Sequence, residues 1–148
     1  MMDEMSKYSK IYFIGIGGIG MSAIARYYKF KGYPVAGYDK TPSDLTHALE
    51  KEGIDIHYKD DPDYIPKDVA STLVVYTPAI PADLQELVYV REHGYTLVKR
   101  SRMLGELAEG QTCLAVAGTH GKTTTSTLVA HILTKSGMGC SAFLGGIS

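Results

Sequence analysis

Short apolar runs alternate along this chain with stretches in which apolar residues recur every three or four positions. "KIYFIGI" (Lys10–Ile16) predicts a strand. Met21, Ile24, Ala25 and Tyr28 then fall at i, i+3, i+4 and i+7, the spacing of a helix with one buried face. "PVAGY" (Pro34–Tyr38) predicts a second strand, and Ser43 is an N-cap for a helix carrying Leu45, Ala48 and Leu49 and stopped by Gly53. "IDIHY" (Ile54–Tyr58) fits a short strand, and "TLVVY" (Thr72–Tyr76) a buried one ended by Pro78 and Pro81. Leu84, Leu87 and Val88 mark a helix closing near Gly94, "TLV" (Thr96–Val98) a strand, and Ser101–Glu109 a short helix closed by Gly110. "TCLAVAG" (Thr112–Gly118) starts a new unit: a strand, a glycine loop and a helix whose face carries Leu128, Val129, Ile132 and Leu133. A last strand, "CSAFLGG", begins at Cys140.

Alternation of this kind predicts an α/β protein: a Rossmann-like, mostly parallel sheet with helices on both faces, followed by the first βαβ segment of a second unit. The boundary falls near Glu109–Thr112, giving units 1–110 and 111–148.

Both units carry a glycine loop between strand and helix. In the first, Gly15-x-Gly17-x-x-Gly20 follows a strand directly. Gly15 permits a tight turn, Gly17 a close backbone approach to a pyrophosphate, and Gly20 tight helix–strand packing. The helix start offers free N–H groups and a partial positive charge to phosphates. Asp39 follows the second strand about 20 residues on, where an acid commonly binds ribose hydroxyls. The pattern specifies phosphate and ribose, not a particular nucleotide. In the second loop, "GTHGKTTT", the strict G-x-x-x-x-G-K-[ST] spacing fails, because Val116 stands five before Gly121. Gly118, Gly121, Lys122 and Thr123 remain. Backbone N–H groups from Gly118 to Lys122 would cradle phosphates, Lys122 would reach the β/γ-phosphates, and the Thr123 hydroxyl would ligate Mg²⁺.

Composition adds mainly exclusions. The chain has 148 residues, 45% apolar and 21% charged, with a net charge of −1. No basic field points to nucleic acid. The "KRSR" run at Lys99–Arg102 reads as a solvated loop or helix start. The acidic run Asp60–Asp63 reads as a loop rather than a metal site, because nothing nearby completes a ligand set. No apolar run reaches the ~20 residues of a membrane span. Glycines at 15, 17, 18 and 20 break the apolar stretch that would otherwise resemble a secretory signal. Cys113 and Cys140 lie in apolar segments outside any C-x-x-C pair, and predict buried, reduced thiols in a cytoplasmic protein.

The two loops together, about 100 residues apart, form a rarer constellation than either alone. "GTHGKTTT" is similar to the variant loop G-T-x-G-K-[TS]-[TS] of the Mur ligases, the ATP-dependent amide-forming enzymes of peptidoglycan synthesis. "TPAIP" (Thr77–Pro81) resembles that family's S-S-A-I loop, and "LVKRSRMLGELAE" its R-x-x-M-L-x-E-L segment. The resemblance runs from about Lys10 to the end, and "GIGGIGMSAIA" looks most like the alanine-adding members. It implies that residues 1–110 hold UDP-N-acetylmuramate. Gly15, Gly17, Gly18, Ile19 and Gly20 would meet the diphosphate, Asp39 would lie near the uridine ribose, and Thr77, Ala79, Ile80 and Arg100 would touch the uridine or sugar. It implies that residues 111–148 begin a central ATP-binding domain, with MgATP held by Gly118, Thr119, His120, Gly121, Lys122, Thr123 and Thr124. Lys122 and Thr123 would serve catalysis, Thr123 as a metal ligand. ATP would phosphorylate the lactyl carboxylate, and the amine of L-alanine would attack the acyl phosphate. His120 alone is as consistent with a structural as with a catalytic part.

Two departures stand out. Lys59-Asp60 occupies the place of a family Gly-His pair, and Thr77-Pro78 replaces a Ser-Ser pair. The resemblance further implies that the alanine site, the remaining Mg²⁺ ligands and the rest of the ligase domains belong to parts not in this sequence, so that the chain alone is inactive. Rival readings are a tripeptide-recycling ligase of the same family, a nicotinamide-dependent oxidoreductase or dinucleotide-sensing module using Gly15–Asp39, and a stand-alone regulatory nucleotide-binding domain. The oxidoreductase reading leaves "GTHGKTTT" unexplained.

Overall fold

A computed structural model describes residues 5–109 and 111–143. Its centre is β1 (Lys10–Ile14), flanked by β2 (Val35–Tyr38) on one side and β4 (Thr72–Tyr76) on the other. β3 (Asp55–His57) lies outside β2 and β5 (Thr96–Lys99) outside β4, giving the order β3-β2-β1-β4-β5. Every pairing is parallel, with Ile14 beside Tyr38 and Tyr76. As the middle strand, β1 is covered on both faces, which is why it reads as a continuous apolar run rather than an alternating one.

Successive side chains of β1 feed two cores. Ile11 and Phe13 pack with Met21, Ile24, Ala25 and Tyr28 of α1 (Ile19–Phe30), Leu49 of α2 (Asp44–Lys51) and Met103 of α4 (Arg100–Ala108). Tyr12 and Ile14 point the other way, to Leu87 and Val90 of α3 (Gln85–Glu92), Ile65 and Tyr95. The expected α1 face is buried at all four positions. Ser43 caps α2 as expected: its hydroxyl accepts from the Thr46 N–H, and the Thr46 hydroxyl accepts from the Ser43 N–H, a closed capping box. In α3 the inward side is Leu87 and Val90 with Glu86, whereas Val88, expected inside, is at the surface. A buried glutamate in the apolar stripe shifts the apparent register by one position.

The second unit departs further. Its helix forms as α5 (Lys122–Lys135), opened by Gly121 in the left-handed region at φ 75°. The strand expected over 112–118 does not form, and no strand is present over 140–143; residues 144–148, and Gly110, lie outside the described residues. No neighbouring strand is available for 112–118 among the described residues, and a parallel strand without a ladder leaves its backbone to water. The expected buried face of α5 is likewise uncovered, with Leu128 57% and Ile132 64% exposed. Cys113 and Cys140, expected to be buried, are therefore exposed free thiols.

Candidate functional site

β1 is where the chain reverses its direction across the sheet, from β2 and β3 on one side to β4 and β5 on the other. Open α/β sheets bind ligands in the crevice at the carboxyl ends of the strands at such a point. A cleft of about 520 Å³ lies there. Six expected residues line it: Gly15 and Gly18 after β1, Asp39 after β2, and Thr77, Ala79 and Ile80 after β4. Gly15 adopts φ 90°, so it makes the turn that only glycine makes cheaply. Its backbone is held by the Tyr38 carbonyl at 2.8 Å.

The other glycines of the motif also make close contacts within the fold. Gly17 donates its N–H to Asp39 Oδ2 at 2.8 Å, and the second oxygen, Oδ1, accepts from Thr41 N–H at 3.0 Å. A Cβ on Gly17 would stand 2.7 Å from Asp39 Oδ2 and 2.8 Å from Thr46 Cγ2. Gly17 thus gives its close approach to the acid and the capping box. Gly20 makes room for Arg100: a Cβ there would collide with the Arg100 guanidinium rather than with a strand. Ile19 begins α1 at the surface.

Together these features set a cation and a carboxylate at the α1 start: Arg100 beside Gly20, and Asp39 on the Gly17 N–H. α1 has no acidic residue in its first turn, and Gly18 supplies no side-chain cap. The first N–H groups of a helix have no partner inside it. The Arg100 guanidinium lies over the same turn and has no hydrogen bond or ion pair among the described residues. Free helix-start N–H groups and an unpaired guanidinium are the kinds of group that receive an anion. Asp39, bound to the Gly17 N–H beside the same helix start, keeps further carboxylate lone pairs for hydroxyl donors.

Sequence reasoning missed the polar cluster beneath the cleft. Glu86 is fully buried and accepts from the Tyr12 hydroxyl at 2.9 Å, and His57 Nε2 stands 2.5 Å from its other oxygen. The His57 ring stacks on Tyr64, with centroids 4.2 Å apart, and lies against Tyr38, which lines the cleft. Burial, with Glu86 beside it, pushes the Tyr12 hydroxyl far above the usual tyrosine range. Asp60, expected only as loop, lines the cleft and caps α3, accepting from Gln85 and Glu86 N–H at 2.9 Å each. Neighbouring Asp61 caps the 3₁₀ turn Pro62–Tyr64, and no cluster of metal-ligating side chains occurs among the described residues. His57 carried no motif, and its partners lie 29 and 45 residues away, so no local signal marks them.

The second loop lies exposed at the surface. Gly118 at φ 146° and Gly121 at φ 75° bend the backbone as only glycine readily does, and Lys122 opens a 14-residue helix with no acidic residue in its first turn. Thr119 and His120 are exposed in the loop and hydrogen-bonded to each other, and Thr123 and Thr124 follow in the first helical turn.

Residues 10–112 match the model of the Mur ligase family, catalytic domain. The chain belongs to the Mur ligase family. Among relatives of this Mur ligase chain, UDP-N-acetylmuramate–L-alanine ligase of Porphyromonas gingivalis is 60% identical over 142 residues, covering 94% of the chain but 31% of that protein. The enzyme of the same name from Parabacteroides distasonis is 55% identical over 97% of the chain and 32% of its own length. The chain therefore spans about a third of these relatives. The crystal structure of UDP-N-acetylmuramate-alanine ligase from Thermotoga maritima superposes with a TM-score of 0.85 at 37% identity, over 94% of the chain and 32% of that structure. A ligase from Neisseria meningitides, named for UDP-N-acetylmuramate and L-alanyl-γ-D-glutamyl-meso-diaminopimelate, gives 0.80 at 28% identity, over 93% and 47%. No helix of the described residues in this Mur ligase chain is long and apolar enough to cross a membrane.

Proposed function

We propose that this chain is the UDP-N-acetylmuramate-binding part of an ATP-dependent ligase that joins L-alanine to the lactyl carboxylate in cytoplasmic peptidoglycan synthesis. The observation carrying this reading is the cleft at the carboxyl ends of the strands, which Gly15, Gly18, Asp39, Thr77, Ala79 and Ile80 line together, with Arg100 beside Gly20 at the α1 start. In this reading Arg100 and the α1 start meet a diphosphate, and Asp39 a ribose. The 55–60% identity to two alanine-adding relatives supports the substrate. The recycling ligase of similar fold stands further away at 28%.

Within this reading, residues 1–110 form the UDP-sugar domain and 111–148 open the ATP domain. Thr77, Ala79 and Ile80 line the far wall for the uridine or sugar. Gly118–Thr124 suit a nucleotide phosphate: two glycines bend the loop, Lys122 and Thr123 open the helix, and its first turn holds no acid to repel an anion. Lys122 would neutralise phosphate charge, and Thr123 would hold Mg²⁺. MgATP supplies the phosphoryl group that activates the carboxylate. Calorimetric titration of UDP-N-acetylmuramate and of NADH into the chain tests the reading. Heat from the UDP-sugar with none from NADH is expected. Binding of NADH alone would overturn it in favour of a dinucleotide module.

A further inference from the structure

The Asp60–His57–Glu86 cluster lies outside both glycine loops and has no part in the contacts proposed above, although Asp60 also lines the cleft. It joins two segments that have no covalent reason to meet. His57 ends β3 and Asp60 follows it, whereas Glu86 is the second residue of α3, which starts directly after the 77–84 loop that forms one wall of the cleft. Asp60 grips the first two N–H groups of α3 with separate oxygens. Glu86, one residue along, turns inward to His57 and to Tyr12 at the centre of the sheet. The loop itself is short of internal support. Ile80 N–H reaches Thr77 O and Leu84 N–H reaches Pro81 O at 3.2 Å each, the upper end of the ordinary range, and Ala79 N–H reaches Thr77 Oγ1 at 3.5 Å, beyond it. Pro78 and Pro81 contribute no donors. Its far end is thus fixed chiefly through α3, and α3 through Asp60 and Glu86.

We propose that Asp60, with His57 and Glu86, is a positioning clamp that holds the 77–84 wall and Tyr38 in the geometry that receives the nucleotide. The clamp rests on the UDP-sugar reading for its ligand, but its hold on the loop does not. Asp60 lines the cleft, but both of its carboxylate oxygens are engaged by the Gln85 and Glu86 N–H groups of α3, so its part is to position. Glu86 reaches the cleft through the His57 ring, which packs on Tyr38 at 5.6 Å between centroids. A carboxylate capping two N–H groups also matches the partial positive charge of the α3 start.

The test compares Asp60→Ala and Asp60→Asn with the unsubstituted 148-residue chain. Amide hydrogen exchange at Leu84 and Val88 reads the wall and α3 without ligand, because Val88 N–H bonds Leu84 O at 3.0 Å. Asp60→Ala should accelerate both by about fivefold, the effect of losing one helix cap, with Phe13 and Val75 in the sheet unchanged. UDP-N-acetylmuramate affinity should fall in step, up to fivefold. Asp60→Asn keeps one oxygen acceptor and should recover part of both losses. Unchanged exchange in Asp60→Ala overturns the clamp. Faster exchange with unchanged affinity overturns its positioning role. If the unsubstituted chain fails to bind the UDP-sugar, the ligand reading falls, and the exchange comparison alone then decides whether Asp60 holds the wall.

Discussion

Replacing Gly17 by alanine probes the point where fold and site share atoms. The new Cβ would stand 2.7 Å from Asp39 Oδ2 and 2.8 Å from Thr46 Cγ2, far inside ordinary contact. Neither neighbour yields freely. Asp39 is held by the N–H groups of Gly17 and Thr41, and Thr46 is fully buried in the α2 capping box. Overpacking of this kind costs about 1–3 kcal/mol. Displacing Asp39 weakens a hydrogen bond to a charged acceptor worth about 1.5–3 kcal/mol. Because relaxation relieves the clash partly by breaking that bond, the two do not add fully, and a total of about 2–4 kcal/mol is expected. At a urea slope of about 2 kcal/mol/M, the midpoint should fall by about 1–2 M, followed by far-UV circular dichroism. Gly18→Ala is the control. Its Cβ would meet nothing closer than 3.7 Å, so its midpoint should move by less than about 0.5 M. Equal shifts for the two glycines, or no shift for Gly17→Ala, would refute the assignment of Gly17 to the acid and the capping box.

Three further expectations follow from other parts of the molecule. Arg100→Ala should weaken UDP-N-acetylmuramate roughly ten- to hundredfold by calorimetry while leaving the urea midpoint nearly unchanged, since a charge-assisted contact is lost and the guanidinium has no protein partner among the described residues. Stability should fall above pH 10. Burial raises the hydroxyl pKa of Tyr12 and of Tyr28, so the unfolded chain releases protons that the folded one keeps. Their contribution is complete below the unfolded value near 10 and is lost as pH rises, by about 1.4 kcal/mol per pH unit for each tyrosine. Tyr12→Phe should show a shallower decline, and equal slopes would contradict the account. Ser43→Ala should cost about 1 kcal/mol in urea unfolding by opening the capping box, and no loss would show that α2 does not depend on it.

What could be read in the sequence follows from the range of the interactions involved. β1, β2, β4 and α1 announce themselves because burial periodicity is local, and Ser43 because a cap acts across three residues. The cleft residues Gly15, Asp39 and Thr77 were legible because parallel strands bring their carboxyl ends together by topology alone. Tyr12, His57 and Glu86 were not, because their meeting depends on β1, β3 and α3 being placed first, and a lone glutamate at an inward helix position looks like a register error. The strand over 112–118 was misread for the opposite reason. Its local pattern is that of a strand, but strand formation needs a neighbour, which periodicity within one segment does not reveal. Gly17 and Gly20 were placed in the motif correctly, while the atoms they make room for, Asp39 and the Arg100 side chain, emerge only in three dimensions.

The central claim is that the first glycine loop, Asp39 and the 77–80 wall form one UDP-sugar site. Backbone amide chemical shifts of the ¹⁵N-labelled chain, recorded as UDP-N-acetylmuramate is added, test it most directly. The account expects the largest changes at Gly15–Gly20, Asp39, Thr77, Ala79 and Ile80, with Gly118–Thr124 little affected. Changes centred on Gly118–Thr124, or an unaltered spectrum at saturating ligand, would contradict it.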